Sequence, residues 1–256
     1  MNHINAAVSN GKLYVLGGLA DDTSGPIVAW RRNSSSWVYD PATNIWAPIA
    51  PLPNGTARGS AAVGVHARTG TIVLAGGMTD LELAPGGRQR SVATVSMYDT
   101  ATNTWRAAPD LPAPRDHAGG AVVGHHMYVL GGRADGQANV RDTVFILDLN
   151  DIEQGWRTSK ARMPTPRGGV AVGVVGSRVY TFGGEGNAEV ESGVFADVEA
   201  YDVERDGWEK LGDMRVPRHG TSAVGVRGRV YVPGGGVRQG AGAVAGFDVF
   251  LPKGGR

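Results

Sequence analysis

A short apolar run that ends in Gly-Gly occurs five times along the chain of 256 residues. The runs are KLYVLGG, TIVLAGG, HMYVLGG, RVYTFGG and RVYVPGG, and their first glycines are 59, 55, 52 and 51 residues apart. A period of this length is typical of repeat architectures, in which a single repeat cannot bury its apolar surface alone. The chain is therefore expected to fold as an array of similar units.

Each repeat predicts four short strands and no helix. Runs rich in Val, Tyr and Trp are separated by turn sequences such as DPATN and SNGK. The first strand of each repeat is built from small residues, as in HINAAVS and GSAAVGV, which suits an innermost position where backbones crowd together. We therefore expect an all-β fold: a β-propeller of four-stranded blades in a single domain. The predicted blades are about 1–53, 54–112, 113–164, 165–216 and 217–256.

After each doublet and a variable stretch comes an aromatic or apolar residue followed by Asp, and a Trp follows this pair in the first four repeats. The pairs are Tyr39-Asp40, Tyr98-Asp99, Leu147-Asp148, Tyr201-Asp202 and Phe247-Asp248, and the tryptophans are Trp46, Trp105, Trp156 and Trp208. Together with the Gly-Gly doublet, this pattern resembles the signature of kelch repeats over essentially the whole chain. The resemblance implies a kelch propeller, similar to the six-bladed kelch proteins of fungi and bacteria that carry a loose galactose oxidase-like label.

The fifth repeat departs from this pattern, because it ends in FDVFLPKGGR without a Trp-bearing fourth strand. Residue 1 is already placed in the innermost strand of the first repeat. Two hypotheses follow: a five-bladed ring whose last blade lacks its fourth strand, or a six-bladed propeller from which one blade is missing. Bare sheet edges invite pairing with another chain, so self-association through an unclosed edge is expected as one mode of partnership.

In a four-stranded meander, the connections between strands two and three share one end with the connections between blades. This end, which we term the loop face, carries the long stretches after the doublets and the lead-in segments TARGS, PRDHA, PRGGV and PRHGT. Binding residues concentrate in loops held by a rigid scaffold. Residues 1–5 are the lead-in segment of the first repeat. The predicted ligand- or partner-binding residues lie in the five lead-in segments, near the mouth of the central channel: His3, Arg58, Arg115, Asp116, His117, Arg167, Arg218 and His219.

The recurring arginines of these segments have two interpretations. A guanidinium group with five donors would tie a blade to neighbouring carbonyl groups, or a set of them would bind carboxylates of a peptide or an acidic sugar. In the kelch family, residues at and just after this position contact partner peptides, so the resemblance favours Arg115, Asp116, His117, Arg218 and His219. A loop carboxylate beside His117 would make an acid/base pair or a carboxylate–histidine metal site. Most loop carboxylates are expected to be solvated; they are Asp21, Asp22, Asp80, Glu82, Asp142, Glu185, Glu189, Glu191 and Asp197.

The composition excludes several kinds of chemistry. Without cysteine there is no disulfide, thiolate zinc site or cysteine nucleophile, and the family's copper galactose oxidase, which needs a tyrosine–cysteine crosslink, is excluded. The neighbours His125 and His126 are expected to point to opposite sides of a strand, which argues against their sharing one metal. No metal site is predicted elsewhere, and no cofactor is predicted. A net charge of +1 without a basic block argues against nucleic acid. No signal peptide or long apolar stretch is evident, so a cytoplasmic location without membrane contact is expected.

These observations predict a non-catalytic kelch propeller that binds a protein, a peptide or another ligand through its loop face. No catalytic residue is assigned. One alternative is a small-molecule enzyme such as an acidic-sugar mutarotase or epimerase, for which the family offers a precedent with an arginine-lined channel. A second alternative is a self-assembling structural propeller.

Overall fold

The computed structural model describes residues 1–84 and 86–252. Within these ranges the chain forms twenty-three β-strands and one short 3₁₀ turn, Ile152–Gln154, and no α-helix. The described chain divides into two compact units. The first unit comprises Met1–Asp116, Ala134–Gly136 and Leu147–Trp156, and the second comprises the rest of the described chain. The all-β prediction is confirmed.

The first unit contains the first two blades. Blade one consists of β1 (Ala6–Ser9), β2 (Lys12–Asp22), β3 (Ala29–Asp40) and β4 (Ile45–Ile49), each antiparallel to the next. The second repeat forms β5 (Ala62–His66), β6 (Thr71–Ala75), β7 (Met78–Glu82), β8 (Gln89–Ser91), β9 (Val95–Asp99) and β10 (Thr104–Ala108). Blade two is the sheet β10-β9-β6-β5, while β7 and β8 form a hairpin that joins the sheet of blade one.

The second unit contains blades three to five, apart from the last two residues of β13. Blade three consists of β11 (Gly119–Val123), β12 (His126–Leu130), β13 (Val144–Asp148) and β14 (Arg157–Thr158). Blade four consists of β15 (Ala171–Val175), β16 (Arg178–Phe182), β17 (Asp197–Asp202) and β18 (Gly207–Asp213). The fifth repeat forms β19 (Val224–Val226), β20 (Arg229–Pro233), β21 (Gly236–Arg238), β22 (Ala241–Ala243) and β23 (Phe247–Phe250). Within the described residues, its blade has only the three strands β19-β20-β23, as predicted.

The blades bury their apolar residues face to face. In four blades the second strand carries a tyrosine three residues before the doublet; we term the face of each blade on which this position lies its forward face, and the opposite face its rear face. These residues are Tyr14, Tyr128, Tyr180 and Tyr231. The forward face of blade one packs against the rear face of blade two, where Tyr14 and Leu16 meet Ile72 and Leu74. The same pairing joins blade three to blade four and blade four to blade five. Burial of these apolar faces is the main favourable contribution to folding.

The Gly-Gly doublet is required where the next blade begins. Gly183 has a φ of +56°, and a Cβ atom there would collide with the carbonyl oxygen of Arg218. The amide of Gly184 donates to that same oxygen at 2.9 Å. In blade two, the amide of Gly77 donates to the carbonyl of Arg115 at 2.6 Å. The recurring doublet and the recurring arginine therefore form one structural contact between successive blades.

The long stretches after the first two doublets form hairpins that pair with each other. Strands β2 and β3 extend well beyond the blade, and β3 pairs with β7 so that Ala29, Trp30 and Arg31 lie opposite Glu82, Leu81 and Asp80. This pairing satisfies backbone groups that an isolated hairpin would leave to solvent. The result is a projecting sheet made of β2, β3, β7 and β8.

The strand pairing corrects the predicted pattern of the fifth repeat. Phe250 lies opposite Val230, as Tyr201 lies opposite Val179 in blade four. The prediction that Phe247-Asp248 is the fifth aromatic–Asp pair is therefore wrong by three residues. The physical reason is the position of Asp248, which corresponds to Glu199 and forms an ion pair with the arginine of its own blade.

Candidate functional site

The lead-in segments and the long stretches after the doublets lie at the same end of each blade. In each of four repeats, a lead-in residue forms an isolated β-bridge with the residue that follows the doublet. The bridges are Asn2 with Leu19, Gly59 with Met78, Gly168 with Glu185, and His219 with Gly236. This pairing supports the loop face that the topology predicts.

His117 occupies a backbone position that recurs in every repeat. Its φ of +51° lies in the left-handed region, where histidine is among the enriched non-glycine residues. The equivalent residues also have positive φ values, and they are His3, Ser60, Gly169 and Gly220. The carbonyl of His117 accepts a hydrogen bond from Gly169 at 2.8 Å, and the carbonyl of Gly169 accepts one from Gly220 at 3.0 Å. Because the backbone at this position makes the link between successive blades, the residue type can differ from one repeat to the next.

The predicted arginines are buried and bound to the protein itself. The Nε atom of Arg58 donates to the carbonyl of Gly76 at 2.6 Å, and its Nη2 atom donates to Leu74 at 2.9 Å. Arg167 repeats the first contact with Gly183 at 2.6 Å. Burial lowers the pKa of Arg58 to about 10, so this side chain still carries its charge at neutral pH. These contacts are those of the structural interpretation, in which arginine ties the start of a blade to neighbouring carbonyl groups.

Two of the arginines also bind an acidic residue on the third strand of the same blade. Arg167 contacts Glu199 at 2.6 Å, and neither side chain is exposed to solvent. Arg218 contacts Asp248 at 2.7 Å. In blade two the equivalent position is Ser96, whose hydroxyl accepts from Arg58 at 3.2 Å. The charge of the buried guanidinium groups of Arg167 and Arg218 is thus balanced within their own blades.

Arg115 and Asp116 are also buried in the first unit. Arg115 donates from Nη1 to the carbonyl of Pro114 at 2.7 Å. The carboxylate of Asp116 accepts from Nε2 of Gln89 at 2.8 Å and from the hydroxyl of Ser91. Because Gln89 and Ser91 lie on β8, Asp116 anchors this hairpin strand to the lead-in segment.

His117 belongs to a charged cluster in the second unit. Nη2 of Arg133 lies 3.3 Å from Nε2 of His117, while Nη1 forms an ion pair with Glu185 at 2.6 Å. The other oxygen of Glu185 lies 3.3 Å from Nδ1 of His219 and accepts from the amide of Gly240 at 3.0 Å. Burial alone would raise the pKa of Glu185, but Arg133 and the two histidines hold it below its usual value. The structure thus brings His117 and His219 to opposite sides of one buried ion pair.

His219 also holds the last hairpin of the chain in place. Its Nε2 atom donates to the carbonyl of Arg238 at 2.7 Å, and Arg238 ends β21. This bond ties the β21–β22 hairpin to the lead-in segment of its own blade, and the contact between Glu185 and Gly240 ties the hairpin to blade four. The charged cluster around Glu185 therefore also has a structural role, because it holds this hairpin in place.

His3 lies in the first unit against the projecting sheet. Its ring packs against Trp30 in a tilted arrangement with centroids 4.8 Å apart, and its Nδ1 atom lies 2.8 Å from the side-chain oxygen of Asn2. Both His3 and Trp30 are partly exposed. This pair is the aromatic surface that the loop face offers in the first unit.

Arg133 was not predicted from the sequence as a functional residue, and Glu185 was predicted to be one solvated carboxylate among several. Both residues directly follow a Gly-Gly doublet, and this shared position is the signal that would have identified them. The expectation for His125 and His126 is wrong, because their ring centroids lie only 4.2 Å apart. His125 precedes β12 and lies in the turn, where side chains do not alternate as they do along a strand.

The fold and the recurring lead-in contacts define a kelch-type β-propeller. The family model KLHDC2/KLHL20/DRC7 Kelch-repeats domain matches residues 2–240. The chain therefore belongs to the kelch-repeat family, as its sequence pattern indicated.

Several known proteins are similar to the chain. The Kelch-like protein terF of Aspergillus terreus is 40% identical over 254 residues, which are 98% of this chain and 53% of terF. Beta-scruin of Limulus polyphemus is 27% identical over 226 residues, which cover 88% of this chain and 23% of that protein. N-acetylneuraminate epimerase of Vibrio cholerae is 33% identical over 141 residues, or 54% of this chain and 33% of the enzyme. The chain thus spans about half of terF and a third or less of the other two.

A solved structure agrees with the fold. The structure of YjhT superposes with a TM-score of 0.76 and 17% sequence identity, and the match covers 99% of this chain and 82% of that one. Among the described residues, we find no helix with the length and apolar character needed to cross a membrane.

Proposed function

We propose that this chain is a non-catalytic binding module. Its loop face binds a protein or peptide segment that carries exposed aliphatic side chains. The observation that carries the proposal is the projecting sheet of the first unit. Its two hairpins meet at their ends, where the amide of Leu83 donates to the carbonyl of Val28 at 2.8 Å. Ile27, Val28 and Leu83 are exposed there, and we term these three residues the hairpin tip. Clustered exposed apolar side chains on an ordered surface commonly mark interaction sites.

The hairpin tip is held in a fixed position. Arg31, on β3, lies between Asp22 at 3.3 Å and Asp80 at 3.2 Å and so links the two hairpins by their side chains. A preformed surface loses less conformational entropy on binding than a flexible loop does. A fixed position of the hairpin tip is expected of a surface that recognises a partner, whereas loops that only connect strands do not need one.

The lead-in residues have two different roles in this proposal. Five of them position the loop face, since their side chains are buried and form hydrogen bonds or ion pairs within the chain: Arg58, Arg115, Arg167, Arg218 and Asp116. Contact with the partner falls to the partly exposed aromatic and imidazole side chains, His3 with Trp30 in the first unit and His117 in the second. The kelch-like relatives support a binding role for the fold in general, and a cytoplasmic location stays a prediction.

The test compares three forms of the chain in affinity purification with quantitative mass spectrometry. The native chain is compared with the double variant Ile27→Asp/Leu83→Asp and with Arg68→Asp, an exposed site in the turn between β5 and β6 at the opposite end of its blade. We expect a partner that the native chain and Arg68→Asp both retain and the tip variant loses. Purified partner should then bind the native chain in calorimetry with at least tenfold higher affinity than the tip variant. Equal recovery by all three forms would contradict the proposal.

A second candidate is an acidic-sugar mutarotase or epimerase. The similarity to N-acetylneuraminate epimerase supports it, as does the partly exposed His117 beside the Arg133–Glu185 pair. A proton-transfer group at this position would accelerate exchange between the anomers of the sugar. Magnetization-transfer NMR on N-acetylneuraminate, with native chain and with His117→Ala, measures that rate directly. An anomeric exchange rate equal to that of buffer alone would eliminate this candidate.

A further inference from the structure

The forward face of blade five is apolar and largely exposed. Val224, Tyr231 and Val249 lie side by side across its three strands, and Phe247 lies opposite Pro233 on the same face. The exposed fractions are 53% for Val224, 46% for Val249 and 64% for Phe247. In blade four the same row is Gly173, Tyr180 and Ala200, of which Tyr180 and Ala200 are buried against blade five.

The rear face of blade one is also apolar and exposed in part. Its cross-strand pairs are Val8 with Leu13, Leu13 with Tyr39, and Val15 with Trp37. Val8 is 65% exposed and Trp37 is 39% exposed. In blade two the equivalent pairs are Val65 with Ile72 and Ile72 with Tyr98, and Ile72 and Tyr98 are buried against blade one.

The forward face of blade five and the rear face of blade one are the two kinds of face that pair between blades of this chain. Every core that joins two blades within one unit is formed by a forward face and a rear face, with the tyrosine of the forward face against the aromatic residue of the next rear face. In the first unit Tyr14 meets Tyr98, with ring centroids 6.0 Å apart. In the second unit Tyr128 meets Tyr201 at 5.8 Å, and Tyr180 meets Phe250 at 5.7 Å. Tyr231 on blade five and Tyr39 on blade one are the corresponding residues of the two exposed faces.

We propose that the forward face of blade five binds the rear face of blade one in a second copy of this chain. The same chain supplies both members of a pairing that it already uses between its own blades, so a second copy brings an apolar face of the kind that the forward face pairs with. The contact is heterologous, since two different surfaces meet, and each added copy leaves one face of each kind exposed at the ends of the assembly. The proposal concerns faces on the sides of blades and is independent of binding at the hairpin tip.

The test is a complementation experiment by size-exclusion chromatography with light scattering. The native chain is expected to show a mass above 26.7 kDa that rises with concentration. Val249→Asp blocks the forward face of blade five, and Val8→Asp blocks the rear face of blade one, so each variant alone should be a monomer. An equimolar mixture should form a dimer of twice the monomer mass, because each variant retains the face that the other has lost. The proposal would be overturned if the mixture of the two variants contained only monomers, or if the native chain were a monomer at every concentration.

Two controls keep the outcome clear. Val190→Asp alters an exposed valine in the stretch after the fourth doublet and should associate like the native chain. Far-ultraviolet circular dichroism and thermal unfolding check that each variant is folded. If Val8→Asp alone still associates, two forward faces pair with each other and the heterologous contact is wrong. If the native chain is a monomer, the forward face of blade five is not covered by a second copy, and a further blade of the same polypeptide or a different protein becomes its expected partner.

Discussion

Arg167 and Glu199 form an ion pair of 2.6 Å in which neither side chain is exposed to solvent. The pair is fully hydrogen-bonded, because Thr165 donates to the second oxygen of Glu199 at 2.7 Å and Arg167 donates to the carbonyl of Gly183. A buried pair of this kind contributes little net stability over an apolar pair, but the loss of one partner leaves an uncompensated buried charge. The lead-in arginine thus makes the start of blade four dependent on a residue of its third strand.

We expect Glu199→Ala to lower the free energy of unfolding by about 3–5 kcal/mol, the usual cost of breaking a buried ion pair. The matched control is Asp142→Ala, which removes the partner of Arg162 from an exposed pair of 2.9 Å. That change should cost no more than about 1 kcal/mol, because exposed pairs are weak. Urea unfolding followed by tryptophan fluorescence measures both values. Similar losses in the two variants would show that burial does not set the strength of the Arg167–Glu199 contact.

The repeat and the blade were predictable from the sequence because they rest on local chemistry. The turn sequences, the small first strands and the Gly-Gly doublets each occupy consecutive residues, and the structure places them at the expected ends of the blades. The recurrence of the lead-in arginines is visible in the sequence itself. Whether these arginines have a structural or a binding role depends on the burial of their side chains, which the sequence alone does not reveal.

Features that depend on distant residues were not predictable. Glu185 lies 52 residues after Arg133, and no local pattern indicates that the two side chains meet. The projecting sheet requires Arg31 on β3 to lie opposite Asp80 on β7, and this pairing also joins different repeats. The register of β23 was misassigned because Phe247 precedes Asp248 and so fits the local aromatic–Asp pattern, although Phe250 occupies the equivalent place on the strand. Only the pairing with β20 distinguishes them.

The stability of the second unit should depend on the ionisation of Glu185. Its pKa is lowered in the folded chain, since the attraction of Arg133 and the histidines outweighs the effect of burial. A group with a depressed folded pKa binds fewer protons than it does in the unfolded chain, so its stabilisation is present above its ordinary pKa of 4.5 and is lost as the pH falls through the folded value. The free energy of unfolding of the native chain should therefore fall steeply below pH 4.5.

Glu185→Gln tests this dependence. The variant should be less stable than the native chain at pH 7, and the difference should shrink as the pH is lowered toward 3. The exposed Glu191→Gln serves as the control and should follow the native curve across the whole range. Urea unfolding midpoints at half-unit pH intervals measure all three proteins. A constant difference between Glu185→Gln and the native chain would mean that the ion pair does not contribute to the acid dependence.

Substitution of the first glycine of a doublet should be far more damaging than substitution of a turn glycine with the same backbone. Gly183 and Gly176 have φ values of +56° and +61°, so alanine at either position pays the left-handed penalty of roughly 1–2 kcal/mol. Only at Gly183 does the added methyl group meet the backbone of Arg218, whereas Gly176 has open space around it. We expect Gly183→Ala to be several kcal/mol less stable than Gly176→Ala in chemical denaturation. Equal losses would show that backbone conformation alone explains the doublet.

The side chain of His117 should be separable from its backbone conformation. His117→Gly keeps the positive φ at no steric cost and removes the contact with Arg133, whereas His117→Val places a β-branched residue where such residues are genuine outliers. We expect the glycine variant to unfold at nearly the native temperature and the valine variant to unfold several degrees lower in scanning calorimetry. If binding at the loop face uses the imidazole, both variants should lose partner affinity to the same extent despite their different stabilities. An affinity that instead followed the stability of the two variants would assign His117 a purely structural role.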